Sequence, residues 1–343
     1  MVNGRQTLEM HLADWRQAGG RDDVAVTVMA MAIAARQVAA TIALGPLLTG
    51  GAQSGDEQQA ELTRTAEDLF GDSLAQSPVA LVAKVDQERA AVLDAGRPLA
   101  VALFPLDGSA PIETNLATAT IFSIFPVPTS GPGGNDTALL LPGREQLAAG
   151  FFIYGPQTAL VLTLRQGTHV FTLDARDGHF YLTRDNVQIP QAGTEYAINA
   201  SNYRRWPQAV REYIDDLVAG AEGPRGKDFN MRWIAAMVSE AFRIMVRGGI
   251  CLYPRDTRKG FENGRIRLVF EANPIALVFE QAGGAATDGV NRILDLVPTS
   301  LNQRTPLVFG SADKVARVQR YYNDAPAREQ SSPLFKERGL FRV

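Results

Sequence analysis

The stretch Phe104-Pro105-Leu106-Asp107-Gly108-Ser109 decides how this chain is read. It closes an apolar run, Leu99 to Phe104, with the length and composition of a buried strand. A strand that runs into Pro, Asp, Gly and a small hydroxyl residue hangs one carboxylate off its end beside free backbone N–H groups. Such a corner can hold a cation and a phosphate together. The same residues suit an ordinary β-turn, so on local evidence both readings stand.

Working outward, the period of the pattern says how the rest is organised. Before the stretch come three helical segments. Thr7 to Gln17 places Leu8, Leu12 and Trp15 on one face, Val24 to Ala43 is Ala-rich and capped by Asp22 or Asp23, and Asp56 to Asp68 turns Leu62, Ala66 and Leu69 inward. From Val79 the pattern changes to short apolar runs between turns: Val79 to Ala83, Leu99 to Phe104, Thr118 to Phe125, Ala149 to Tyr154, Ala159 to Arg165, His169 to Asp174 and Phe180 to Thr183.

Beyond a boundary at Val187 to Gly193 the two patterns alternate. Strands are expected at Tyr196 to Asn199, Ile250 to Tyr253, Ile266 to Phe270 and Leu307 to Phe309, and helices at Pro207 to Ala219, Met231 to Arg247 and Pro274 to Ala282. This order calls for an α/β fold of stacked layers, two mixed sheets with intervening helix layers. The expected division is residues 1–190, residues 191–330 and a tail, 331–343.

At 343 residues the chain can bury a sizeable core. Its net charge of -3 gives no reason to expect nucleic acid or an anionic membrane as partner. The single cysteine, Cys251, excludes an internal disulfide and any multi-cysteine metal site, and fits a reducing cytoplasm. Val24 to Leu48 is apolar but interrupted by Arg36, Gln37 and Gly45-Pro46, so it reads as neither a membrane span nor a signal segment. His11, His169 and His179 are far apart in sequence and read as structural.

Several distant segments together carry a resemblance: FPLDGS with TIFSIFP at 120–126, GREQLAAGFFIYGPQTALVLTL from Gly143, YAINASNYRRW from Tyr196, GPRGKDFNMRWIAAMV from Gly223, GGICLYP from Gly248, and RIRLVFEANPIALVFEQAGGAATDG from Arg265. From about Thr7 to Phe341 the chain resembles the class I fructose-1,6-bisphosphatases of the inositol monophosphatase superfamily. The resemblance implies a layered sugar-phosphatase fold, a cytoplasmic homotetramer, a Calvin-cycle or gluconeogenic setting, and Mg²⁺-dependent hydrolysis of fructose 1,6-bisphosphate to fructose 6-phosphate and phosphate.

Residue by residue, the resemblance makes Asp107, Glu271, Asp86 and the Leu106 carbonyl metal ligands, and Asp107, Asp86 and Asp56 the catalytic acids. Gly108, Ser109 and Ala110, with Asp107, would receive the reacting phosphate. Asn199, Tyr203, Tyr253, Arg265 and Arg232 would grip the sugar and second phosphate, Arg232 from across a subunit interface. Departures cluster at the chemistry: Phe104 and Val85 stand where the family carries metal-binding acids, Asp86 shortens another, Thr63 stands where a water-polarising Asp is expected, Pro111 removes an N–H donor, and Trp233 replaces a Tyr. At most one Mg²⁺ site is expected, with much reduced hydrolysis. The competing reading is a catalytically impaired sugar-bisphosphate-binding protein or partner subunit.

Overall fold

The computed structural model describes residues 5–45, 47, 55–108, 114–128 and 136–330. Three helices come first: α1 (Leu8–Gln17), α2 (Asp22–Leu44) and α3 (Gly55–Ala75). The Thr7 hydroxyl accepts the Met10 N–H and caps α1. The expected Asp cap of α2 is not there: Arg21 takes the N-cap position without a side-chain bond, and Asp22 and Asp23 lie inside the first turn, where negative charge suits the helix dipole. By length and composition α2 could cross a bilayer, yet Val24, Val28, Met31, Ala35 and Val38 are buried in the protein's own core.

The strands β1 (Val79–Lys84), β2 (Ala91–Val92), β3 (Leu99–Asp107), β4 (Thr118–Pro126), β5 (Ala148–Tyr154), β6 (Thr158–Thr163), β7 (Thr168–Leu173) and β8 (Phe180–Arg184) form one sheet in the order β2-β1-β3-β4-β5-β6-β7-β8. Only β1 and β3 run parallel. Both faces are covered, which is why the strands read as continuous apolar runs. Val101, Leu103, Phe122 and Phe152 pack with Met31, Leu62 and Phe70 of the helices, while Ile121, Phe151 and Val161 point the other way.

That second face meets α5 (Met237–Arg247) and α6 (Asn273–Gln281) through Ile244, Ile275 and Phe279. Behind them lies a second sheet, built from β9 (Glu195–Ala197), β10 (Asn230–Met231), β11 (Ile250–Tyr253), β13 (Gly284–Thr287) and β15 (Leu307–Ser311) in the order β10-β9-β11-β15-β13. A two-stranded ribbon pairs β12 (Ile266–Arg267) with β14 (Arg304–Thr305). The outer layer is α4 (Gln208–Val218) with α7 (Ala312–Gln330); Tyr213, Leu217, Val315 and Val318 close it against Ile250, Leu252 and Val308. The layered α/β architecture with two mixed sheets is thus as expected.

Three of the expected elements differ in extent, each for a local reason. The strand β3 does not stop at Phe104. It continues through Pro105 to Asp107, but its pairing with β4 is irregular between Phe104 and Asp107, because Pro has no N–H for the ladder and is tolerated in a sheet at such a bulge. Helix α5 begins at Met237 instead of Met231: Ala235 is left-handed with φ 63°, and the buried Glu240 carboxylate takes the Ile234 N–H at 2.6 Å. The strand expected over 266–270 is only two residues long. Leu268–Ala272 wind into a π-helical turn that feeds α6, whose first turn holds Pro274.

His179 lies in the β7–β8 turn, outside a helix or strand, and all three histidines meet where α1 docks. The His11 and His169 rings stand 4.6 Å apart, and His179 Nδ1 is 3.2 Å from Glu9 Oε1.

The bulge in β3 is held by one buried hydroxyl. Thr120 Oγ1 donates to the Pro105 carbonyl at 2.7 Å and lies 2.8 Å from the Tyr154 hydroxyl. We expect Thr120→Val to cost about 1–3 kcal/mol in urea unfolding, since both partners lose their bond in a buried site. Adding Tyr154→Phe should recover part of that loss.

Candidate active site

Asp107 is the last residue of β3, paired with Ala119 of β4 just past the irregular stretch. Thr118 Oγ1 donates to the Asp107 carbonyl, and Gly108 follows with φ 68°, the left-handed conformation a glycine adopts without strain. Ser109 and Ala110, expected to complete the phosphate-receiving turn, lie outside the described residues, as does Pro111.

Facing this corner is Glu271, 6% exposed, in the π-helical turn and not at a strand end. Its Oε2 accepts the Arg267 N–H at 2.8 Å, so the side chain folds back onto the residue where β12 ends. Burial pushes the Glu271 carboxyl well above the usual carboxylate range, and the neighbouring Asp107 charge pushes it further. Burial also raises Asp107, opposed by the Gly108 N–H and the Arg267 guanidinium. A buried Glu271 whose charge is disfavoured by a half-buried Asp107 makes a pair whose repulsion a cation would relieve.

The other expected acids are placed differently. Asp86, left-handed at φ 64°, has a 73% exposed side chain, and its carboxylate pairs with the Arg267 guanidinium. Asn302 steadies this turn by accepting the Asp86 N–H at 3.1 Å and donating to the Gln87 carbonyl at 2.7 Å. Asp56 is exposed in the first turn of α3, and no contact among the described residues ties it to Asp107 or Glu271. Thr63 turns back on its own helix, donating to the Gln59 carbonyl at 2.9 Å. Val85 and Phe104 both pack on the cluster that holds Val269 and Phe270, directly beside Glu271 in sequence. Lys84 Nζ lies 3.7 Å from Glu67.

A second cleft gathers three of the expected sugar-phosphate residues. Asn199, Tyr253 and Arg265 line it together with Asn202, Trp206, Trp233 and Asp256. The Tyr253 ring stacks at 5.3 Å on Trp233, and burial keeps its hydroxyl protonated well above its ordinary pKa. The Arg265 guanidinium sits 4.6 Å over the Phe261 ring. Tyr203 is turned elsewhere: its hydroxyl donates to the Asp215 carboxylate at 2.8 Å, so it is not among the lining residues. Arg232 is exposed, its guanidinium donating only to the Met231 carbonyl among the described residues.

Sequence reading missed Arg267, Asn302 and Asn202. Arg267 was reachable, since it stands four residues before Glu271. Asn302 comes from a loop 216 positions along the chain from Asp86, which no local pattern reports.

A strand-end carboxylate facing a buried Glu, next to a cleft with arginine and hydrogen-bond donors, defines a phosphate-handling site on a layered α/β fold. The N-terminal domain model of fructose-1-6-bisphosphatase matches residues 8–185 and the C-terminal domain model residues 189–323. The chain is 49% identical to the class 1 fructose-1,6-bisphosphatase of Sinorhizobium medicae, covering 98% of this chain and 99% of that one. It is also 49% identical to the class 1 enzyme of Azorhizobium caulinodans, over 92% and 99% of the two chains. The crystal structure of Leishmania major fructose-1,6-bisphosphatase in holo form superposes with a TM-score of 0.85 at 29% identity, covering 93% of this chain and 99% of that one. The chain belongs to the fructose-1,6-bisphosphatase family, a family of metal-dependent sugar-phosphate hydrolases.

The carboxyl pair makes a prediction about pH. A carboxylate whose folded pKa is raised binds protons more readily folded than unfolded. Folded stability is therefore lost as pH rises from the ordinary carboxylate range through the raised values. In chelator-treated protein, thermal stability should fall as pH is taken upward from about 4–5 through neutrality. Glu271→Gln should flatten that slope, and added Mg²⁺ should flatten it in the parent.

Proposed function

We propose that this protein binds fructose 1,6-bisphosphate or a closely related sugar bisphosphate in the described cleft and hydrolyses it far more slowly than members with a full set of acids. What supports this reading is a cleft lined by expected sugar-phosphate residues together with hydrocarbon at two positions that the resemblance gives to acids. Asn199, Tyr253 and Arg265 line one pocket, while Phe104 and Val85 pack as hydrocarbon on the cluster of Val269 and Phe270, next to Glu271 in sequence.

Whether these residues suit the family's Mg²⁺ can be judged from the donors. Among the described residues no group of three or more His, Cys, Asp or Glu is arranged to hold an ion. Asp107 and Glu271 fit one Mg²⁺ completed by the Leu106 carbonyl and substrate oxygens, since Mg²⁺ is commonly held by one or two carboxylates plus phosphate. Bound there, the ion would neutralise charge on the reacting phosphoryl group. The chain's own residues would do the rest: Arg265, Asn199 and Tyr253, which line one cleft, would anchor the distal phosphate. The exposed Arg232 is free to reach a neighbouring subunit.

The proposed assembly is a cytoplasmic homo-oligomer, a tetramer by family likeness. In its favour, α2 leaves Val26, Ile33 and Leu44 exposed on an otherwise apolar helix. A second reading, a sugar-bisphosphate-binding protein or partner subunit without turnover, is favoured by the same hydrocarbon at positions 85 and 104.

Calorimetry with fructose 1,6-bisphosphate beside an Mg²⁺-dependent phosphate-release assay separates these readings. Binding at millimolar ligand or better is expected, weakened substantially by Arg232→Ala, with turnover at least about 10³-fold below a fully acidic member, the scale of losing one preorganised charge-stabilising group. The combination Phe104→Asp, Val85→Glu, Asp86→Glu and Thr63→Asp should raise turnover and add a second bound ion, whereas Phe104→Asp alone should do little. Ordinary enzymatic rates in the parent would overturn the account.

A further inference from the structure

The guanidinium of Arg267 touches or faces every acid left at the site. It pairs with Asp86 across 181 positions of sequence, and its Nη1 lies 3.8 Å from Glu271 Oε2. Its backbone N–H donates to the same Glu271 oxygen at 2.8 Å, and its charge is felt at Asp107 as well as Glu271. The side chain is 18% exposed, so its field is only partly screened by water. Asp86 is presented to it from a left-handed turn that Asn302 braces from a separate loop.

Resting on the single-ion reading given under Proposed function, we infer that Arg267 is a positioning residue that serves as the site's resident cation: it stands in for a second divalent ion by bridging Asp86 and Glu271 and thereby limits how tightly a metal binds at Asp107 and Glu271. The physical reason is charge balance. The half-buried Asp107 and the buried Glu271 lie beside hydrocarbon at positions 85 and 104, where the family resemblance would put acids, and Asp86 meets Arg267 from an exposed turn. One fixed guanidinium balances part of the remaining negative charge, in a planar fork that can meet two carboxylates at once. A cation entering between Asp107 and Glu271 must share Glu271 with that fork and is repelled by it.

The test uses the full chain, stripped of metal and titrated with Mn²⁺ alone, with affinity and stoichiometry read by calorimetry and by the rise in unfolding temperature. The parent should take one Mn²⁺ per chain. Arg267→Met should bind it at least tenfold more tightly, lose thermal stability in the metal-free state and regain it on adding Mn²⁺. Arg267→Lys, which keeps the charge, should stay within about threefold of the parent, well short of the tenfold step that corresponds to 1.4 kcal/mol. Arg267→Gln, of similar reach and uncharged, repeats the test should the Met variant not fold. A gain below tenfold in the uncharged variants, or a Lys variant that behaves like Met, overturns the inference. One ion on the parent with no gain in the variants sinks this inference alone, whereas two ions on the parent sink the single-ion reading and this inference with it.

Discussion

Asp107 reaches the candidate site because β3 is a central strand, covered on both faces, that cannot continue its ladder through Pro105. A strand buried between two core layers has no freedom to slip, so when the missing N–H interrupts its pairing with β4, the irregularity is forced to one place. There the Thr120 hydroxyl donates to the Pro105 carbonyl, with the Tyr154 hydroxyl 2.8 Å from it. Pairing resumes at Asp107, opposite Ala119, and the Asp107 charge is felt by Glu271 in the π-helical turn before α6. The fold thus converts a local defect in hydrogen bonding into a fixed position for a charge.

What surrounds that charge sets its chemistry. Phe104 and Val85 enlarge a hydrocarbon cluster that includes Val269 and Phe270, which lowers the local dielectric and makes the Asp107 and Glu271 charges costly in the absence of a cation. The same apolar wall strengthens the field of Arg267 at these acids.

The distal cleft is built on different principles and is less affected. Asn199 and Tyr253 sit at the ends of neighbouring strands β9 and β11 of the second sheet. Arg265 reaches the cleft from the segment before the ribbon, where Gly264, at φ 86°, packs so closely that a Cβ would lie 2.2 Å from the Pro306 nitrogen. Close backbone approach of this kind positions a guanidinium without any partner carboxylate.

The succession of helices, short apolar runs and renewed alternation determined by itself the layered α/β class. Burial on both faces removes polar residues from strands and leaves a pattern that composition reports directly. The position of Asp107 close to a strand end was legible from the run Leu99 to Phe104, and it was the family resemblance that named Asn199, Tyr253 and Arg265, which line one cleft. Only the tertiary structure decided the rest. Asp86 pairs with Arg267, Tyr203 turns toward Asp215, and Asp56 lies exposed on α3. Those outcomes depend on contacts between residues far apart in sequence and on backbone conformations such as the left-handed turns at Asp86 and Ala235. A one-dimensional pattern carries periodicity and chemistry, but not which distant charge a side chain will meet once the chain has packed.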